Sequence, residues 1–313
     1  MTQINIPSFS QAQVEQRTGL SREVLRKWEL RYGFPLPQRG HRGQRHYDGA
    51  ATRKLELISR LLKMGWRVSK LVGLPVDALQ ALLDDGQAHA TPTPPSALVL
   101  AQATLTLLER LQPGQPPAAA PLFLQSQLQQ HGLNDFVAYL MPAFNLAVGR
   151  AWQAQRVSVA AEHHYTATLR QLVLRALPEP SLNIQPPRVL LATPPGELHN
   201  LALLALHAQL GLQGAHCLDL DCQVPAPEVL RMVHDFQIRV VAISASASMP
   251  SAALAQYTGD LRRALPEACA LWLGGQGFAA WAPPQSPNCT VFNDTSQAVG
   301  HWLRLARTSR VKN

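Results

Sequence analysis

Between residues 188 and 307, short uninterrupted apolar runs alternate with amphipathic stretches, a pattern that few folds accept. The runs at 188–193, 215–220, 239–244, 270–274 and 290–292 are continuously apolar rather than alternating in polarity. A strand apolar on both faces has to be covered on both faces, so these runs predict a parallel sheet. The intervening stretches at 199–210, 227–236, 251–265 and 296–307 carry helical periodicity. Strand and helix in strict alternation give a doubly wound α/β domain. Ligands of such sheets sit beyond the carboxyl ends of the strands, where the strand order reverses. In a flavodoxin-like order that crevice lies between the loops Pro194-Pro-Gly-Glu-Leu-His199 and Ser244-Ala-Ser-Ala-Ser248.

The crevice loops exclude the common nucleotide sites. No Gly-x-Gly-x-x-Gly follows the first strand, and no Gly-x-x-x-x-Gly-Lys-Ser/Thr occurs, so neither dinucleotide nor phosphate-loop binding is expected. The first loop instead offers Glu197 two residues before His199, at the start of a helix. A histidine oriented by a carboxylate is one way to build a metal ligand; a lone histidine at a loop–helix junction is more often a surface or capping residue. Gly274-Gly275-Gln-Gly277, after the fourth strand, lets a ligand approach the backbone closely.

The N-terminal end has a different character. Residues 1–75 hold fourteen Lys and Arg against five Asp and Glu, a net of +9, whereas the remaining 238 hold fourteen against fifteen. Ser10-Gln-Ala-Gln13 opens a short helix that ends near Thr18-Gly19, and Ser21 caps a second. Val24, Leu25 and Trp28 face inward on this second helix, so Arg22, Arg26, Lys27 and Arg31 project. Two short helices about a Gly-containing turn, the second one basic, make a helix-turn-helix. The Gly/Arg-rich stretch 39–47 follows as a hairpin wing. Arg22, Arg26, Lys27, Arg31 and Tyr32 are expected to contact phosphates and base edges, with Arg39, Arg42, Arg45 and Tyr47 in the wing fixing register. A basic module on a neutral body suits binding of double-stranded DNA. One such module binds weakly, so a dimer or higher oligomer is expected.

The chain divides into residues 1–85 as the DNA-binding domain, 86–95 as a proline-bearing linker, 96–178 as a helical bundle and 186–310 as the doubly wound domain. The fold class is thus α/β multidomain. The bundle helices are expected at 98–111, 120–131, 134–154 and 158–177, with a bend at Pro142. Cys217, Cys222, Cys269 and Cys289 form no Cys-x-x-Cys pair and read as reduced, mostly buried thiols of a cytoplasmic protein. No basic-then-apolar leader and no apolar run of spanning length is evident, so no membrane role is expected.

The order of these pieces carries a resemblance. Glu197-x-His199, Ser244-x-Ser246 and Gly274-Gly275 resemble the cobalamin-binding domain family, whose pattern is Asp/Glu-x-His-x-x-Gly, then Ser-x-Leu/Thr/Ser, then Gly-Gly. The resemblance implies His199 as lower ligand of the cobalt, with the nucleotide tail running between the serine and the glycines. Trp152, nine residues and then Glu162-His163 resemble the Trp-x9-Glu-His motif of the helical cap in light- and cobalamin-dependent repressors. There the tryptophan covers the upper face of the corrin. Leu25-Arg-Lys-Trp-Glu-Leu-Arg-Tyr-Gly-Phe-Pro-Leu-Pro-x-Arg39, followed by Arg45-His-Tyr47, is similar to the MerR-type winged helix-turn-helix. The chain as a whole resembles a MerR-type regulator fused to a cobalamin sensor, as in the CarH/CarA/LitR group. It departs from that pattern twice. Gln153 stands where light-sensing members carry a second cobalt-capturing histidine, and Ala202 stands at the motif glycine.

The resemblance implies a transcriptional regulator, most simply a repressor, with cobalamin or another tetrapyrrole as its cofactor and no enzymatic activity. A regulatory protein docking on the sensor is a further expected partner. Two other readings were weighed. One is a regulator whose sensor has become a cofactor-independent protein-interaction module. The other is a corrinoid carrier or a cobalamin-dependent mutase or methyltransferase subunit, for which the basic first 85 residues have no use and the chain has no room for a substrate barrel.

Overall fold

A computed structural model of the chain describes residues 8–39, 44–63, 66–84, 94–177, 188–279 and 288–310. The chain forms two compact units, residues 1–176 and 177–313. The first unit opens with β1 (Ser8–Ser10), α1 (Gln11–Thr18), α2 (Arg22–Tyr32), β2 (Gln38–Arg39), β3 (Arg45–Asp48), α3 (Gly49–Lys63), α4 (Val68–Leu71) and α5 (Val76–Asp84). Ser10 starts α1 with a full capping box, its hydroxyl taking Gln13 N–H while the Gln13 side chain takes Ser10 N–H. Gly19 closes α1 at φ 70°, a conformation that suits glycine, and the chain turns directly into α2. Ser21 caps α2 through Val24 N–H. Val14, Leu25, Trp28, Leu55, Ile58 and Leu61 meet in one core.

The wing is a three-stranded antiparallel sheet, β1-β3-β2, and it corrects one expectation. Tyr47 is 2 % exposed, facing Phe9 of β1 in register, so it belongs to the core and not to a DNA-contacting surface. Strand alternation explains the change. The face of β3 that carries Tyr47 packs on the helical core that holds Val14, Leu25, Trp28 and Leu55, so the ring fills the interior. Burial accordingly raises the Tyr47 phenol above its ordinary pKa.

The bundle consists of α6 (Ala97–Arg110), α7 (Ala119–Asp135), α8 (Met141–Gln153) and α9 (Val159–Ala176). A π-helical turn, Phe136–Leu140, leads into α8. Gly132 interrupts α7 at φ 77° and ψ 160°, and the helix is kinked there. The bend expected at Pro142 takes a specific form. Pro142 has no N–H to return to the carbonyl four residues back, and Met141 N–H bonds Phe136 O five residues back.

The winged helix-turn-helix and the bundle pack together inside the first unit, with α7 touching α2, α3 and α4. Gln129 on α7 donates to Gly19 O at 2.9 Å, at the turn between α1 and α2. Arg67, just before α4, pairs with buried Asp135 at 2.5 Å. Between these contacts His131 is largely buried. Burial foremost, then the cations Arg67 and Arg31, lower its pKa to about 4.

The second unit is β4 (Arg188–Ala192), α10 (Leu201–Leu212), β5 (His216–Asp219), α11 (Ala226–Phe236), β6 (Val240–Ser244), α12 (Ser251–Ala264), β7 (Ala270–Gly274), β8 (Cys289–Phe292) and α13 (Thr295–Arg310). The strands are parallel in the order β5-β4-β6-β7-β8, which is the doubly wound topology. Leu190, Ala192, Val241 and Ile243 face α11 and α12, while Val189, Leu191, Val240 and Trp272 face α10 and α13. Both faces are covered, which is why the three central strands β4, β6 and β7 are buried and almost wholly apolar, while the edge strands β5 and β8 are half-buried. Among the described residues, no helix is long and apolar enough to cross a membrane.

Candidate functional sites

The two units each present a surface that can do chemistry, and neither needs the other for its geometry. On the first unit, α2 shows its cations outward: Arg22, Arg26, Lys27 and Arg31 are all exposed. Tyr32 is half-buried against the core, with the Arg31 guanidinium 5.4 Å from its ring centre. Arg39 is exposed at the end of β2. Arg45 pairs with Glu29 of α2 at 3.1 Å, and this contact fastens the wing to that helix. Arg42 and its neighbours 40–43 lie outside the described residues. The face is thus one of free guanidinium and ammonium groups on a rigid helix, the arrangement that phosphate oxygens and base edges accept.

On the second unit, β4 and β6 are neighbours whose connections run to opposite faces, so the loops after them part and leave a crevice. Glu197 sits there with only 1 % of its surface exposed. One carboxylate oxygen accepts from His199 N–H at 2.8 Å and from His199 Nδ1 at 2.7 Å. The other accepts from Ser246 N–H and from the Ser246 hydroxyl, both at 2.6 Å. Burial alone would raise the carboxyl pKa. The four hydrogen bonds outweigh burial and hold it below the ordinary carboxylate value. Glu197 is therefore an anion that only accepts, which assigns the shared proton to His199 Nδ1. The His199 side chain is 74 % exposed, and Nε2 presents its lone pair outward. A carboxylate bonded to one ring nitrogen in this way fixes the ring and leaves the other nitrogen for a ligand. Thr193 completes the loop, donating to Glu197 O at 2.7 Å and accepting from Gln223 N–H at 2.9 Å.

The glycines divide the labour differently from the simple expectation. A Cβ at Gly275 would lie 2.3 Å from Ala245 O and 3.0 Å from Ser244 Oγ, at φ 88°, so only glycine fits. Gly277 is equally constrained, by Ser246 O at 2.7 Å. Gly274 meets nothing closer than Phe292 O at 3.7 Å. Two of the three glycines thus let the β7 loop close against the β6 loop. Ser244 is buried at the end of β6 beneath this contact. Ala202 is exposed in the first turn of α10. Among the described residues no three His, Cys, Asp or Glu side chains gather as a metal cluster.

On the bundle, Trp152 near the end of α8 is 45 % exposed rather than part of the core. Glu162 opens α9, accepting from Thr166 at 2.8 Å and facing His163 Nδ1 at 2.6 Å. His163, His164 and Gln153 are exposed.

Two family models match the chain, one in each unit. Residues 9–85 match the model of the MerR HTH family regulatory proteins, and residues 187–284 match that of the B12 binding domain. Over 304 residues the chain is 27 % identical to the HTH-type transcriptional repressor CarH of Myxococcus xanthus, covering 93 % of this chain and 95 % of that one. Among solved structures, the monomethylamine corrinoid protein of Methanosarcina barkeri aligns with 65 % of this chain and 96 % of its own, at 14 % identity and TM-score 0.47. A cobalamin-binding protein of Desulfitobacterium hafniense aligns with 66 % of this chain and 98 % of its own, at 16 % identity and TM-score 0.28.

Proposed function

Because the chain is a DNA-binding regulator of the MerR type that carries a B12-binding domain, we propose that it represses transcription under the control of a bound cobalamin. The observation that carries this reading is the clamp on His199: a buried, ionised Glu197 bonded four times, turning one exposed imidazole nitrogen outward. The same carboxylate fastens the β4 loop to the β6 loop and fixes the direction of a solvent-facing ring. The residues fit the group. A lone imidazole donor suits a metal whose other ligands come from its own macrocycle, and the β6 and β7 loops are drawn together beside it by Gly275 and Gly277.

In this reading His199 would hold the metal, Glu197 and Ser246 would keep its ring oriented, and Ser244 with Gly274 would flank the cofactor's tail. Cobalamin, when bound, supplies a cobalt–carbon bond that light or exchange can break. Trp152 has the exposed ring that the resemblance assigns to covering the cofactor, with Glu162 and His163 beside it in sequence on α9. Arg22, Arg26, Lys27, Arg31 and Arg39 bind the operator, and Arg42 joins them from the wing. The whole works as an oligomer on repeated half-sites, and its output is regulation rather than turnover.

The test is the visible spectrum of the purified protein loaded with adenosylcobalamin. The natural protein is expected to bind the cofactor with its lower position filled by protein. His199→Ala is expected to shift the spectrum to the form with that position open and to weaken binding. An unchanged spectrum in His199→Ala would remove the histidine from the site, and no binding at all would leave a regulator without this cofactor.

A further inference from the structure

The cationic face of α2 has a leucine at its centre. Leu30 is 79 % exposed, the most exposed large apolar side chain among the described residues. With about 100° between successive residues of a helix, Leu30 falls about 40° from Arg26 and about 60° from Lys27, between the two. The opposite side of α2 holds Val24, Leu25 and Trp28, all buried, so the direction of Leu30 is fixed by a packed core. Arg22, Glu23 and Arg31 complete the outward face. Leu30 therefore makes no contribution to the interior, yet it leaves an apolar side chain in water on the surface most crowded with charge.

We propose that Leu30 is a specificity-determining residue that reads the 5-methyl group of a thymine in the major groove. The proposal rests on the DNA-binding reading and adds to it a contact of a different kind. Arginine and lysine recognise guanine or phosphate through donors, whereas the thymine methyl is the one apolar feature on a major-groove edge and is matched by an apolar side chain. The cations on either side of Leu30 supply the attraction that brings the helix face against the polyanion. A partner protein would be a poor occupant for a face whose apolar centre is ringed by Arg22, Arg26, Lys27 and Arg31. Removal of the side chain should also leave the fold intact, because Leu and Ala have similar helix propensity and no core contact is lost.

The experiment uses the full-length protein. Binding sites are selected from random duplex DNA, and each selected thymine is then replaced by uracil, which lacks only the methyl group. The natural protein is expected to lose about threefold to tenfold affinity at one thymine in each half-site, the scale of burying one methyl group with its contacts. Leu30→Ala is expected to bind thymine and uracil alike at that position, to keep its preferences at the others, and to keep its salt dependence. Leu30→Met, which preserves apolar reach, is expected to keep the discrimination. Arg26→Ala should behave oppositely, losing affinity together with part of the salt slope. Unchanged thymine–uracil discrimination in Leu30→Ala would overturn the assignment. So would a uniform loss of affinity, because a protein contact or a non-specific one behaves that way. Failure of the natural protein to select any sequence would overturn the DNA-binding reading itself, a result distinguishable from the other two.

Discussion

At the scale of single residues, function lies where a side chain is placed against its own preference. Glu197 is a carboxylate held in the interior, and Leu30 is a leucine held in water. The first has a measurable signature. Removing the Ser246 hydroxyl deletes a charge-assisted hydrogen bond to a buried anion, so Ser246→Ala should lower stability by about 1.5–3 kcal/mol near neutral pH. The Glu197 carboxyl has a folded pKa below its ordinary value of 4.5. Its contribution is therefore fully present above that value and is lost as pH falls through the folded one. Urea unfolding of the two proteins should show a clear gap at pH 7 that narrows below pH 4.5, and a gap independent of pH would show that the carboxylate is not the acceptor that matters. Glu197 and His199 stood out in the sequence because they are two residues apart. The bond from Ser246 did not, because the partners are 49 residues apart and meet only through the crossover between β4 and β6. Tyr47 was hidden for a related reason: the helix residues it packs among are distant in sequence, and a four-residue strand is too short to show which face turns inward.

At the scale of elements, the apolar strands announced the doubly wound sheet, and the caps Ser10, Gly19 and Ser21 announced the helix-turn-helix. What sequence periodicity does not give is the packing of α7 against the DNA-binding helices. The contacts there involve Gln129, His131, Asp135, Gly19 and Arg67, polar or small residues with no helical stripe to mark them. His131 makes this junction sensitive to acid. It is neutral in the packed state, with a pKa of about 4 against 6.5 when free. The unpacked state therefore binds more protons between those values, and the packed state loses stability as pH falls from about 6.5 to 4. Thermal unfolding should show the midpoint falling over that window, and His131→Phe should remove part of the fall. An unchanged pH profile in His131→Phe would show that the junction does not depend on this ring. Arg67→Ala removes one charge-assisted bond to the buried Asp135 carboxylate and is expected to destabilise the first unit by about 1.5–3 kcal/mol, read by urea unfolding.

At the scale of the whole molecule, the account joins a DNA-reading unit and a cofactor-binding unit in one chain, and a ligand can shift DNA binding only by favouring one state over another. Gln153 bears on which signal does this. It is exposed next to Trp152 in sequence, and its amide is a weak ligand for cobalt where the resemblance to light- and cobalamin-dependent repressors implies a histidine. Green light should therefore cause a smaller or more reversible change of oligomeric state than the cofactor itself causes. Size-exclusion chromatography with adenosylcobalamin, in darkness and after illumination, checks this. A complete and lasting light-driven change would contradict it, and Gln153→His is expected to make the change larger. The most direct test of the central claim is the affinity of the full-length protein for its selected DNA site, measured by fluorescence anisotropy with and without adenosylcobalamin in darkness. The account predicts a cofactor-dependent change of about 5- to 150-fold, the usual range of coupling between two sites, and its loss in His199→Ala. Equal affinity in the empty and loaded protein, with the visible spectrum showing the cofactor bound, would contradict it.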